Sequence, residues 1–313
     1  MLSGIPPAAG AVVMGTGIVS IDLSLDHHTV LARILLAIAA AVWVVLGLLF
    51  AARALGDRAR LVHEARTPAA LTGVAATAVL GSGVELLGWD WAGIALLVVA
   101  VVMWVALVAP VVGHLPLPAA GVAFLLTVAT ESLAVLSSTL AVHEHTDALL
   151  YAALVALVLG LAFYVFVLAR FDFRQLAEGR GDHWITGGAL AISTLAAGQI
   201  ALDARTLDVL SFDALKAVAI VLWALTIAWL PALLLFEALR PRLRHDLNRW
   251  ATVFPVGMYA ACSFAVGAVT HAGAITDFAR VWVWVAVAVW LVVGAGTVRS
   301  AVVVPGRRLH RAA

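Results

Sequence analysis

The chain has 313 residues, 64% of them hydrophobic and only 12% charged, with a formal net charge of +1. A soluble domain carries roughly twice that share of charge, so a soluble domain of useful size is excluded. The near-zero balance also gives nucleic acid no electrostatic footprint.

A membrane-crossing helix needs about 20 mainly apolar residues. In chain order the windows that qualify are 5–21, 31–51, 68–87, 91–111, 118–139, 148–168, 185–204, 216–236, 250–271 and 279–298. No basic segment precedes the first apolar stretch, so it reads as the first span rather than a cleaved signal. Backbone polar groups in hydrocarbon must be paired within their own segment, which makes every window helical. The expectation is an all-α integral membrane fold: one transmembrane domain over 1–313, crossing ten times as five helical hairpins. Its connections are too short to fold as extramembrane domains.

Ten spans put alternate connections on opposite sides. One side then holds Arg53, Arg58, Arg60, Arg66, Arg170, Arg174, Arg180, Arg240, Arg242, Arg244, Arg249, Arg299, Arg307, Arg308 and Arg311. The other holds Arg33, Arg205, Lys216 and Arg280. Basic connections stay in the cytoplasm, so both termini are expected there, in the plasma membrane.

Within the windows a second contrast appears. Gly, Pro, Ser, Thr, Asn and Gln number 35 in the odd windows and 9 in the even ones. Such residues belong where protein or water, not lipid, faces the helix. The odd helices are therefore expected to form an inner pore ring and the even helices an outer ring; simple close packing of small residues is the plainer alternative. Val13-Met14-Gly15-Thr16-Gly17-Ile18 also matches Val79-Leu80-Gly81-Ser82-Gly83-Val84 in the same direction. A parallel repeat favours a fixed pore over the inverted repeats of rocking transporters.

In the ninth window Phe254 precedes Pro255, where a lost backbone hydrogen bond bends a helix. Gly257, Ala261, Ala265 and Ala268 share the Phe254 face, one bulky ring above a narrow smooth wall; the residues fit a phenyl plug or a ring packed in a notch. In the fifth window Phe124, Thr127, Glu131 and Ser138 share a face. Glu131 reads as the only acid deep in a span, either neutral and hydrogen-bonded or taking a proton with a substrate. Gly15-Thr16-Gly17 fits local unwinding around an anion or a packing contact, and Thr186-Gly187-Gly188 and Ser193-Thr194 read the same way. His143-Glu144-His145-Thr146-Asp147 is expected to be a solvated turn rather than a metal site. Trp89, Trp91, Trp184 and Trp250 are expected as interfacial anchors. Cys262 has no partner for a disulfide. No nucleotide loop, zinc-protease motif or nucleophile elbow is present, so neither an enzyme nor a cofactor is expected.

Three blocks in order then resemble one family: Val13-Met14-Gly15-Thr16-Gly17-Ile18-Val19-Ser20, Trp184-Ile185-Thr186-Gly187-Gly188-Ala189-Leu190-Ala191-Ile192, and Trp250-Ala251-Thr252-Val253-Phe254-Pro255-Val256-Gly257-Met258-Tyr259. The chain is similar to the tellurite-resistance/dicarboxylate transporters, relatives of fungal malate permeases and sulfite efflux pumps and of plant slow-type anion channels. The resemblance implies five hairpins around a central pore in each protomer of a homotrimer. It also implies that Phe254 occludes the pore, with Phe124 as a second candidate. The implied cargo is a small anion: a monocarboxylate, a C4-dicarboxylate such as malate, sulfite or an inorganic anion. Glu131 departs from a simple anion conduit and suits the alternative of a proton-coupled carrier of organic acids.

Overall fold

The computed structural model describes residues 6–178, 181–240 and 246–309. Of the arginines counted above, Arg180, Arg242, Arg244 and Arg311 lie outside the described residues. Apart from one isolated bridge between Ala119 and Phe171, every regular element among the described residues is helical. These helices are α1 (Gly10–Leu25), α2 (Thr29–Gly56), α3 (Arg58–Ala65), α4 (Thr72–Glu85), α5 (Asp90–Gly113), α6 (Leu125–His143), α7 (Asp147–Leu168), α8 (Gln175–Glu178), α9 (Trp184–Leu207), α10 (Phe212–Leu239), α11 (Trp250–Thr270) and α12 (Gly273–Leu309). Among the described residues nine helices are long and apolar enough to cross a bilayer. A tenth is supplied by Arg58–Ala65 and Pro68–Glu85, which qualify together as one span bent by 90° at its break. Arg53 at the end of α2 ties α3 down through a 2.6 Å ion pair with Glu64, which Arg60 also contacts at 2.8 Å.

Five helices form a closed ring. α1 packs on α4, α4 on α6, α6 on α9, α9 on α11, and α11 returns to α1. Each outer helix packs on the ring helix of its own hairpin and leans on the next one: α2 on α1 and α4, α5 on α4 and α6, α7 on α6 and α9, α10 on α9 and α11, α12 on α11 and α1. Burial follows that division. Between 72% and 89% of the apolar window is buried in α1, α6, α9 and α11, against 17% to 33% in the five outer helices. Leu48, Val102, Val155, Val221 and Val292 are all widely exposed on the outer helices. Water would be an untenable neighbour for so broad an apolar surface; hydrocarbon is the medium that suits it.

Small residues let the ring close tightly. A Cβ on Gly17 of α1 would stand 2.7 Å from Val79 of α4, and one on Gly188 of α9 would stand 2.8 Å from Pro255 of α11. Close backbone approach of this kind replaces the hydrophobic effect as the source of helix association in lipid. It also decides between the two readings of Gly15-Thr16-Gly17. α1 runs through that triplet as an unbroken helix, and Gly15 abuts Val253 of α11, so the glycines serve packing rather than unwinding.

Two further features recur around the ring. Outer-helix indoles donate to ring hydroxyls at four seams: Trp43 to Thr77 at 2.9 Å, Trp104 to Thr130 at 2.9 Å, Trp223 to Ser263 at 3.0 Å and Trp290 to Thr16 at 3.0 Å. Each indole sits on the outer helix preceding the ring helix that it bonds, with α12 closing the circle onto α1. The hairpin turns are alike as well. Each of the five ring helices is followed by a left-handed residue: His27, Gly88, His145, Asp208 and His271. In four turns the next N–H reaches the carbonyl five residues back, as from His28 to Leu23 at 2.7 Å and Thr146 to Ala141 at 3.0 Å, the bond that ends a helix in a left-handed cap. The bonded hydroxyls reveal a register different from that of the glycine hexapeptides. Thr16, Thr77 and Thr130 each fall nine residues after the start of the 3-10 turn that opens their helix, at Pro7, Pro68 and Gly121. Thr16 thus corresponds to Thr77, not to Ser82.

Candidate functional site

Cross-ring contacts fix which arc of each helix faces the axis. On α11, Val253 and Gly257 meet α1 at Gly15 and Ile18, while Pro255 and Ala265 meet α9 at Gly188 and Gly198. Ser263 on the far side takes the indole of α10. At 100° per residue, Phe254, Ala261 and Ala268 lie between the two contact lines, on the arc turned inward. The same construction turns Met14 and Ile21 of α1 inward, with Ala75, Ala78 and Ser82 of α4. It adds Val128, Ser132 and Thr139 of α6, and Ile192 and Gln199 of α9. The interior is thus mostly apolar, with a few hydroxyl and amide groups and no charged residue at any of these positions.

Exposure along this interior is uneven. Phe254 is 3% exposed, and Met14, Ala75, Ala78 and Val128 are buried. Toward the C-terminal ends of the ring helices Ile21, Val135, Thr139, Leu195, Gln199 and Phe264 become partly exposed, and Ala268 is exposed. The inward residues are buried at the level of Phe254 and gain exposure toward the hairpin turns.

Of the gate and lining residues named from sequence, Phe254, Ala261 and Ala268 stand on the inward arc. Gly257 is packed on Ile18 and lies beside Asp22. Gly15 and Gly17 belong to the seams, and Thr16 accepts from Trp290 of the outer helix α12. Pro255 sits inside an uninterrupted α11 and fills the notch at Gly188. Thr194 bonds Thr226 of α10 at 3.0 Å. Phe124 ends a 3-10 turn and packs on Tyr164 of α7 and Phe171, at centroid distances of 5.2 and 5.5 Å. Thr127 is fully buried and its hydroxyl has no hydrogen-bond partner among the described residues. Ser138 donates to Asp203 of α9 at 2.6 Å. The face shared by Phe124, Thr127, Glu131 and Ser138 is thus real, but it is turned to the α7–α9 side of α6.

Glu131 is fully buried. It presses against Gly160 of α7 and accepts from Ser193 of α9 at 2.9 Å. At this α6–α7–α9 junction the outer helix α7 carries no tryptophan to bond the ring; Gly160 leaves room there and the carboxyl fills it. Nor is Glu131 the only acid within a helix of the bundle. Asp22 of α1 is 0% exposed and neither of its oxygens has a hydrogen-bond partner among the described residues; Glu85 of α4 and Asp203 of α9 are also buried. The sequence windows end one residue short of Asp22, and a longer first span is the signal that finds it. Trp184 and Trp250 are likewise buried, donating to Glu237 and Thr297, whereas Trp89 and Trp91 stand exposed as anchors would.

The pattern of the voltage-dependent anion channel family matches residues 4–298, nearly the whole of the ring and its jacket. The chain belongs to that family. Membership agrees with the resemblance drawn from the three sequence blocks, and it makes the protein a multi-pass membrane protein of a family of anion channels and transporters rather than enzymes. Two membrane proteins of Mycobacterium tuberculosis, one from strain CDC 1551 / Oshkosh and one from strain ATCC 25618 / H37Rv, are also similar. Each is described as uncharacterized and is 26% identical over 132 residues, which is 40% of this chain and 66% of the relative. The chain thus spans slightly under two thirds of the length of these relatives.

Proposed function

We propose that the ring is the conduction path of a small anion and that the Phe254 side chain closes it. One observation carries the reading: Phe254 lies on the inward arc of α11, at the depth where the interior is buried, above a stretch that opens toward the turns. An apolar constriction excludes water, and a channel can be gated by that dewetting alone. Beyond it the passing ion meets hydroxyl and amide dipoles from Thr139 and Gln199. No fixed cation on the inward arcs would trap it, and weak binding with easy release is what conduction requires.

Phe254→Ala, reconstituted in liposomes, is expected to raise anion flux at least about tenfold, the equivalent of ~1.4 kcal/mol off the barrier. Unchanged flux would remove Phe254 as the closure. A panel of malate, sulfite, nitrate and chloride identifies the cargo. The plasma membrane, cytoplasmic termini and a homotrimer complete the proposal, supported by the arginine asymmetry and the family resemblance. Phe124, packed on the outer helix α7, is left out of the gate.

A second reading, proton-coupled transport of organic acids, draws on the buried carboxyls Glu131 and Asp22. Flux that follows a pH gradient at constant anion gradient, and that is lost in Glu131→Gln or Asp22→Asn, would favour it.

A further inference from the structure

Three ionisable side chains converge at the turn end of the ring, from three different helices. Glu85 ends α4, Asp90 begins α5 and His143 ends α6. Nε2 of His143 lies 2.6 Å from Glu85 Oε1, and Nδ1 lies 3.6 Å from Asp90 Oδ1. One ligand-capable atom from each residue falls within 4.8 Å of the other two. The Glu85 side chain is only 2% exposed, yet its second oxygen, Oε2, has no hydrogen-bond partner among the described residues; Asp90 Oδ1 has none either. A carboxylate held out of water with one oxygen unserved is costly, and a cation removes that cost. His143 and Asp90 are 44% and 38% exposed, so the cluster opens to water on one side.

We propose that Glu85, Asp90 and His143 form a binding site for a divalent transition-metal ion of the zinc class. One imidazole nitrogen and two carboxylate oxygens are a donor set for zinc and its neighbours rather than for magnesium or calcium, which take oxygen ligands. Three protein ligands with a fourth position open to water is a common zinc arrangement. Ligands at about 2.0–2.2 Å from the ion must draw together slightly; the exposed His143 and Asp90 side chains supply that movement while burial holds Glu85 in place. The flanking His145 is exposed in its left-handed turn and is no part of the site. The site does not depend on the conduction reading.

The test is calorimetric titration of the purified, tag-free full chain in detergent with zinc chloride, with magnesium chloride in parallel. Expected is one zinc ion per chain, bound about tenfold or more weakly in His143→Ala and in Asp90→Asn, unchanged in His145→Ala and not displaced by magnesium. Gel-filtration profile and melting temperature establish that each variant is folded. Should His143→Ala fail to fold, Asp90→Asn at the exposed carboxylate decides. No zinc binding by the parent chain, binding that survives both substitutions, equal loss in His145→Ala, or equal affinity for magnesium would each overturn the assignment.

Discussion

Gly188 and Gly88 show how differently two glycines constrain this chain. At Gly188 a methyl group would meet Pro255 at 2.8 Å from its side chain and 3.0 Å from its Cα. The backbone of α11 would have to retreat, and overpacking of this kind costs ~1–3 kcal/mol. Gly188→Ala is therefore expected to lower the melting temperature in detergent, and an unchanged melt would show that α9 and α11 are not so closely packed. At Gly88 nothing lies near the site of a Cβ, but φ is +77°. Gly88→Ala is expected to cost ~1–2 kcal/mol through the left-handed backbone alone. Its equivalents His27, His145, Asp208 and His271 already carry that cost. Neither constraint is visible in the residue type, since both positions read simply as glycine.

At the scale of the helix, the unit that repeats is a hairpin with its indole strap. Trp43→Phe keeps an aromatic ring on α2 and removes its donation to Thr77. One such bond within a membrane protein contributes about 0.6 kcal/mol on average, so single replacements are expected to be mild. The four together, Trp43, Trp104, Trp223 and Trp290 changed to Phe, are expected to lower the stability of the bundle by roughly four times as much, measured as the loss of monodisperse protein on heating. Full retention would reduce the indoles to space-fillers. Glu131 belongs to this scale too. If its carboxyl serves the fifth seam, Glu131→Gln, which keeps the size and an acceptor oxygen for Ser193, is expected to leave anion flux near the parent value. The pattern of polar residues in the odd helices was legible in the sequence as a pattern; the partner of each hydroxyl was not, because each bond depends on how two separate helices are turned against one another.

For the whole molecule, closure of five helices into a ring creates an interior that no single hairpin has. Its sidedness can be measured. In a chain whose buried Cys262 has been replaced by Ala, a cysteine at Ala268 is expected to react with a membrane-impermeant thiol reagent applied on the hairpin-turn side. A cysteine at Ala261, nearer Phe254, is expected to react from that side more slowly, and to become reachable from the opposite side only when Phe254→Ala is added. Equal labelling from both sides in the parent background would contradict a closure at Phe254.

Composition and periodic polarity by themselves determined that this chain is an all-helical bundle in lipid, with alternate helices inside and outside. Burial in a bilayer must be repeated along every span, so it leaves its mark on every window. Tertiary structure alone decided which inside residues face the axis and which face a neighbour. Phe254 and Gly257 lie about 60° apart around one helix, yet one points inward and the other is pressed against Ile18. That division depends on where α1 and α9 touch α11. It likewise took tertiary packing to bring His143 to Glu85 and Asp90, because the end of α6 reaches the α4–α5 turn only when α6 packs on that hairpin.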